Sequence, residues 1–508
     1  MQEREPPMGN PLYDALVAPL AGRDSAVLID AAGQEISGTA LHGMAMAMAA
    51  TLAGLGLRPG DRLAVQVEKT PQAMALYLGA LAAGVVFLPL NTAYTAEEVD
   101  YFVADAGAAL LVGDPAKAGP LRERAARHGA GFQTLDAAGQ GSLAELAAQA
   151  GTAVPAQRGA DDLAAILYTS GTTGRSKGAM LSQSNLLSNA EVLVRAWRFG
   201  PQDVLLHALP IFHTHGLFVA SNVSLLSGGA MIFLPGFKLD QVIAWLPRAT
   251  AMMGVPTFYT RLLDDPRFTR DLVGHMRLFT SGSAPLLAET HRRFQDRTGH
   301  RILERYGMTE TNMTTSNPYD GERRPGTVGP PLPGVELKIT GEDGAPVPQG
   351  QPGMIEVRGP NVFLGYWRMP EKTREELRED GFFITGDIGT VDGDGYVSIV
   401  GRQKDVVITG GFNVYPKEIE LILDEQPGVL ESAVIGVPHP DFGEAVVALL
   451  VPEPGAAPDP AAIRAALSGR LAGFKQPKHV AVLDALPRNT MGKVQKNLLR
   501  RDFAGLFA

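Results

Sequence analysis

The sequence predicts an α/β protein in two parts: a large N-terminal domain of α/β subdomains with a small β-barrel, then a smaller α+β C-terminal domain. Three observations predict it. Apolar helices alternate with short buried strands through the first part of the chain. From about Arg323 they give way to short strands punctuated by Gly and Pro, the texture of a small barrel or sandwich. After Gly401 strands and helices alternate again over a stretch long enough for a domain of its own. The length of 508 residues calls for about three to four folding units.

The elements follow in order. Thr70 and Pro71 read as an N-cap and a first helical position, and the apolar run to Ala83 is a buried helix that Gly84 ends before a strand over Val85 to Leu88. Leu163 to Thr169 is an apolar run of strand length, and a helix near Leu239 to Leu246 precedes a strand within Ala249 to Val255. Such alternation favours largely parallel sheets. GTVGPPLPGVELKIT, GMIEVRG and GYVSIVG supply the β-rich subdomain, placed at about 323–400. Beyond a boundary at Gly401 to Lys404 come a strand over Asp405 to Thr409, a Gly410-Gly411 turn and a helix opened by Pro416. The N-terminal domain is expected over 1–401 and the C-terminal domain over 402–508, with Pro452 to Pro460 (PEPGAAPDP) as a surface loop.

Composition narrows the function. The chain has no cysteine, so disulfides, zinc-thiolate sites and a cysteine nucleophile are excluded. If a thioester is made, its sulfur belongs to a cofactor. A formal charge of -9, from 45 Lys plus Arg against 54 Asp plus Glu, argues against a nucleic-acid partner and makes any phosphate site local. The N-terminus MQEREPPMGN has no basic segment leading into an apolar one, and Met74 to Leu90 is broken by Gly84 and Pro89, short of a bilayer span. A cytoplasmic protein without a membrane span is expected.

The segment YTSGTTGRSKG, Tyr168 to Gly178, carries the densest chemistry. Gly171, Gly174 and Gly178 let a backbone approach an anion closely, five hydroxyls (Thr169, Ser170, Thr172, Thr173, Ser176) donate to its oxygens, and Lys177 supplies positive charge. That is a triphosphate cradle without the Walker spacing. The stretch Gly174 to Gly178 also matches the G-x-S-x-G elbow of α/β serine hydrolases. Ser176, however, lies well past the strand end between two long cations, which disfavours that reading.

This loop resembles the phosphate-binding signature of the adenylate-forming superfamily, which includes acyl-CoA synthetases, peptide-synthetase adenylation domains and firefly-type luciferases. Four further motifs stand in that family's order: Tyr306-Gly307-Met308-Thr309-Glu310, Thr385-Gly386-Asp387, Gly401-Arg402-Gln403-Lys404-Asp405 and Pro487 to Lys493 (PRNTMGK). The resemblance covers essentially the whole chain. It implies an acid–thiol ligase that uses ATP, Mg2+ and coenzyme A. Tyr306 and Gly307 then meet adenine, Thr309 and Glu310 face the phosphates, and Thr172 and Glu310 face the magnesium. Asp387 and Arg402 hold the ribose, Lys493 is the catalytic lysine, and Gly410-Gly411 lines the thiol tunnel. Because one site forms an acyl-AMP and then admits a thiol, the C-terminal domain is expected to rotate about Lys404. A peptide-synthetase domain or a luciferase-like oxygenase are the alternatives within the family; the chain runs only 15 residues past Lys493, which favours a free-standing ligase.

The family's acyl pocket maps onto Pro210 to Gly216 (PIFHTHG), Thr257 to Arg261 (TFYTR) and Ser281 to Pro285 (SGSAP). These offer Arg261, Ser281, Ser283 and His213 where a fatty or aromatic acid calls for apolar walls. A buried guanidinium pairs best with a carboxylate, so Arg261 is expected to select an acid with a second carboxylate, malonate first and methylmalonate or another short acid next. His213, assigned to catalysis and to the pocket wall, is not expected to bind metal, since H-x-H without a third ligand is weak. A protein acetyltransferase and deacetylase acting on Lys493 are expected as partners.

Overall fold

Residues 9–169, 176–410, 412–468, 470–489 and 492–507 are described in a computed structural model of the chain. Local chemistry fixes its elements. The Thr70 side chain accepts the Ala73 amide, Pro71 opens the helix Pro71–Ala82, and Gly84 at φ +68° turns the chain into the strand Val86–Pro89. Every residue from Ala73 to Ala82 is buried, because this helix packs between its sheet and the helix Gly38–Gly54. The approach is so close that a Cβ on Gly79 would stand 2.7 Å from the Ala45 carbonyl.

Two large sheets form the N-terminal body. In one, the strands Leu163–Thr169, Val86–Pro89, Arg62–Gln66, Leu110–Gly113 and Gly131–Thr134 run parallel, with Lys177–Ser182 and Gly365–Tyr366 added antiparallel at the edge. In the other, Leu303–Met308, Leu278–Ser281, Ala251–Gly254, Val204–His207, Ala230–Phe233 and Ala26–Ile29 are parallel, flanked by antiparallel Asn312–Ser316 and Glu35–Ser37. One apolar core spans both sheets.

The β-rich segment is a four-stranded antiparallel meander, Glu336–Thr340, Gly353–Arg358, Phe383–Val391 and Val397–Arg402. A short turn, Gln403–Asp405, leads into the last sheet. There Val429–His439 pairs antiparallel with Gly443–Pro452, His479–Val482 pairs parallel with the latter, and the hairpin Val407–Thr409 and Phe412–Val414 joins at one end. Two separate apolar clusters line the two faces of this sheet. Among the described residues no helix is long and apolar enough to cross a membrane.

Candidate active site

The strands that flank the glycine-rich segment in sequence, Leu163–Thr169 and Lys177–Ser182, run antiparallel, with Thr169 opposite Lys177. Ser170, Gly171, Thr172, Thr173 and Gly174 lie outside the described residues. Lys177 Nζ donates to both Glu376 carboxylate oxygens at 3.2 Å and stands 4.2 Å from the Tyr366 ring centre. The Tyr366 hydroxyl in turn reaches Glu376 at 2.6 Å and Glu310 at 3.1 Å. Nothing in the local sequence marks Glu376 or Tyr366; only the edge strand at Gly365–Tyr366 brings them to the loop.

Tyr306 to Glu310 lie in a β-hairpin, between Leu303–Met308 and Asn312–Ser316. Gly307 is required there, since a Cβ would stand 1.8 Å from the Asn312 carbonyl. Glu310 is buried, and burial raises its carboxyl despite the Tyr366 hydrogen bond and the Lys177 charge. Among the described residues no three His, Cys, Asp or Glu side chains cluster as a metal site. The Glu310 carboxylate, with Glu376 across the Tyr366 hydroxyl, is the kind of oxygen donor that would suit magnesium, which keeps water and substrate phosphate as most of its ligands. Thr309 is half-buried beside Glu310.

Asp387 and Arg402 are cross-strand partners in the meander. The Tyr306 hydroxyl donates to one Asp387 oxygen at 2.6 Å, and Arg402 Nε sits 2.9 Å from the other. This buried carboxylate is therefore held from two sides, one partner on each oxygen.

Lys493 enters from the C-terminal domain. Its amide donates to Asn489 Oδ1 at 3.0 Å, and Arg488 donates to the neighbouring Gly492 carbonyl at 2.6 Å. Gly492 lies against Thr257, whose side chain comes within 3.5 Å of a Cβ placed there. The Lys493 side chain keeps solvent access within the cleft. The surrounding protein and the Arg402 charge lower its ammonium to about 8, against the pull of Asp387 and Glu310. Lys404 is exposed in the turn between the two domains' sheets, and Asp405 beside it pairs with Arg500 at 2.8 Å. Gly410 takes φ +58° in the hairpin; Gly411 lies outside the described residues.

On the acyl side, His213 is half-buried. Burial and the nearby Lys493 and Arg305 cations push it down to about 3, so the ring is neutral. Its Nδ1 faces the His215 amide at 3.2 Å, so Nε2 carries the proton. His215 is fully enclosed, its Nδ1 3.2 Å from the Ser283 hydroxyl. Ser283 takes φ +69°, a left-handed conformation costly for a non-glycine residue and frequent at ligand sites. Ser281 is buried, and its hydroxyl has no partner among the described residues.

Arg261 is the guanidinium expected to meet the acid. It is exposed in the last turn of the helix Pro256–Leu263, on the same face as Thr257 one turn earlier, because Tyr259, Leu262 and Leu263 take the buried positions. A second guanidinium, Arg305, is buried, 3 % exposed, and among the described residues its Nε and one terminal nitrogen have no partner. Burial pushes it down to about 9, so it keeps its charge at neutral pH. It lies flat on Gly282, where a Cβ would meet it at 2.2 Å. One signal for it existed: Glu304-Arg305 puts two consecutive charges inside the strand Leu303–Met308, where alternate residues face opposite sides, so each needs a buried purpose. Glu304 finds His291 at 3.4 Å; Arg305 faces the cleft.

This constellation defines an adenylating enzyme, and two family models agree. The AMP-binding enzyme model matches residues 18–367, and the AMP-binding enzyme C-terminal domain model matches residues 418–493. The chain belongs to the AMP-binding enzyme family. Its relatives include a feruloyl-CoA synthase of Amycolatopsis sp, 38% identical over 89% of this chain and 91% of that one. A sulfoacetate–CoA ligase of Cupriavidus necator is 36% identical over 96% and 97%, and a malonate–CoA ligase of Arabidopsis thaliana is 35% identical over 88% and 79%. Among solved structures, ATP-bound MatB from Rhodopseudomonas palustris matches at TM-score 0.97 and 58% identity, covering 99% of this chain and 100% of that one. Apo MatB, at the same identity and coverage, matches at 0.86. The arrangement of this chain is thus nearer to that of the ATP-bound neighbour than to that of the apo one.

Proposed function

We propose that this chain joins malonate to coenzyme A through malonyl-AMP, releasing AMP and pyrophosphate, with ATP, Mg2+ and coenzyme A as its cofactors. Of the three relatives named above, one is named for an aromatic acid and two for acids with a second anionic group. The observation that decides between them is the buried, unpartnered guanidinium of Arg305. A charge so placed is costly unless paired, and a planar carboxylate offers it two parallel acceptors.

With one carboxylate on Arg305, the other points toward the nucleotide. There it attacks the α-phosphorus and pyrophosphate leaves. Lys493 supplies charge to the crowded phosphorus, His213 offers its Nε2 proton, Lys177 and Glu310 handle the phosphates and magnesium, and Asp387 with Arg402 holds the ribose. In the second step the coenzyme A thiolate attacks the acyl carbonyl and AMP leaves. Lys493 has to withdraw for this, by rotation about Lys404, with Gly410 on the thiol's path. Lys404→Pro should therefore form malonyl-AMP but turn over thioester slowly, because a fixed φ hinders passage between the two states; a normal rate places the hinge elsewhere.

An assay of AMP release over C2 to C6 mono- and dicarboxylates, sulfoacetate and ferulate, with and without coenzyme A, tests the assignment. Malonate should lead and require coenzyme A; acetate or ferulate ahead of malonate would sink it. Methylmalonate and sulfoacetate are the second reading, favoured by the same guanidinium. We further place the enzyme in the cytoplasm, and Lys493 within reach of a protein acetyltransferase, since its loop is exposed and acetylation would remove the charge.

A further inference from the structure

Beneath the acyl pocket lies a lysine that the reaction as described does not use. Lys69, 5 % exposed, sits between the strand Arg62–Gln66 of one sheet and the helix Pro71–Ala82. It reaches across to the other sheet, where its Nζ lies 2.6 Å from the His207 carbonyl, 3.0 Å from the Leu209 carbonyl and 2.8 Å from His207 Nδ1. The Phe233 ring centre is 4.3 Å away. Among the described residues no carboxylate lies within ion-pair distance of it.

The hydrogen bonds fix its protonation. His207 Nε2 is 2.9 Å from the Gly216 carbonyl, which has no proton to give. The Ser221 hydroxyl spends its own proton on that carbonyl, at 2.9 Å. Nε2 therefore carries the hydrogen, and Nδ1 is left as an acceptor. Lys69 then faces three acceptors, and only an ammonium has three protons for them. Burial opposes the charge, so the site holds it through these contacts and the aromatic face.

The end of the relay is functional backbone. The Gly216 and Leu217 amides donate to the His213 carbonyl at 3.1 and 3.0 Å, closing the turn that presents His213 and His215. The turn has no slack: a Cβ on Gly216 would stand 1.9 Å from the Pro210 carbonyl. It continues as a π-helical stretch, His215–Ser221, a form that concentrates at functional sites.

We propose that Lys69 is a positioning residue for the acyl pocket: through His207 and the Gly216 carbonyl, it holds the His213–His215 turn against Ser283 and Arg305. It touches no substrate. The proposal rests on the reading of this cleft as the acid's pocket, but not on which acid binds there.

Steady-state kinetics of the full chain test it, using whichever acid leads the wild-type panel, so that a wrong acid and a wrong role for Lys69 give different results. Lys69→Met and His207→Leu should each raise KM for the acid about tenfold or more, leaving KM for ATP within about twofold. The double variant should lose no more than the worse single one, because one relay is broken twice. Ser221→Ala removes one donor from the Gly216 carbonyl and should raise the same KM about two- to threefold. It buries no unpaired charge, so it serves if Lys69→Met fails to fold. A merely structural lysine would lower the active fraction or Tm while leaving both KM values alone. That result, or a parallel rise in the two KM values, overturns the proposal.

Discussion

The two sides of the cleft are built on opposite principles. On the nucleotide side nearly every charge already has a protein partner: Asp387 is held by Tyr306 and Arg402, and Lys177 by Glu376. On the acyl side several buried polar atoms have no partner among the described residues, among them Arg305 Nε and one of its terminal nitrogens, the Ser281 hydroxyl and His215 Nε2. A satisfied network is stable on its own and receives a ligand by exchanging partners. An unsatisfied one costs free energy until a matching ligand arrives. Selectivity for the acid should therefore reside in the acyl side, and nucleotide handling should be insensitive to it.

The strongest way to break this comparison is to remove Arg305. Arg305→Leu leaves the distal carboxylate of malonate buried and unpaired, which costs about 3–5 kcal/mol, or roughly 10²–10³ or more in kcat/KM. Acetate and propionate carry no second charge and should hold steady or improve. The malonate-to-monoacid ratio is the quantity to measure, since damage to the fold cancels in it. A ratio within a few-fold of wild type would show that the orphan guanidinium does not select.

Lys493→Ala tests the other side. It should slow adenylation about 10²–10³-fold, the usual worth of an electrostatic group at a charged centre, while thioester formation from preformed malonyl-AMP stays within a few-fold of wild type. Equal loss in both half-reactions would mean that the lysine does not withdraw between them.

The contrast between the two sides also explains what the sequence could and could not reveal. The candidate nucleotide-side residues Tyr306, Asp387, Arg402 and Lys493 stand in short contiguous motifs, so the sequence could single them out, and the helix from Thr70 was legible from its cap and proline, which are local signals. The acyl side is assembled from strand ends far apart in the chain. Whether Arg261 or Arg305 faces inward depends on which residues of each element the packing buries. Arg261 stands in a segment of the right family position, on the exposed helix face it shares with Thr257, opposite the buried Tyr259 and Leu262. Arg305 sits one residue before a motif and hides beside it. Lys69 and Glu376 depend entirely on long-range pairing, and no local pattern announces them.

A milder probe is pH. The Lys493 ammonium titrates at about 8 in the free enzyme, and adenylation needs its charged form, which is lost as pH rises. Adenylation kcat/KM should thus fall above about pH 8, approaching tenfold per unit. Bound triphosphate favours the ammonium, so the limb in kcat should lie at higher pH. The His213 ring, held down to about 3, contributes no limb near neutrality. A flat kcat/KM profile from pH 7 to 9.5 would contradict the role given to Lys493.

The smallest effect should come from Arg261, and its size is what separates the two arginines. A guanidinium in water near an anion is screened, and exposed ion pairs are worth about 0–1 kcal/mol, or no more than roughly fivefold in kcat/KM. Arg261 shares a helix face with Thr257, which abuts the Lys493 loop, so its charge draws a dianionic acid toward the cleft without gripping it there. Arg261→Leu should accordingly lower malonate kcat/KM by less than about fivefold and lose even that as salt is raised, since the Debye length shrinks from about 10 Å at 0.1 M to 3 Å at 1 M. Arg305→Leu should keep its full effect at either salt, because buried charges are screened much less. If Arg261→Leu instead matches Arg305→Leu and resists salt, the two guanidinia clamp the carboxylate together, and the exposed position of Arg261 is one it leaves when the acid binds.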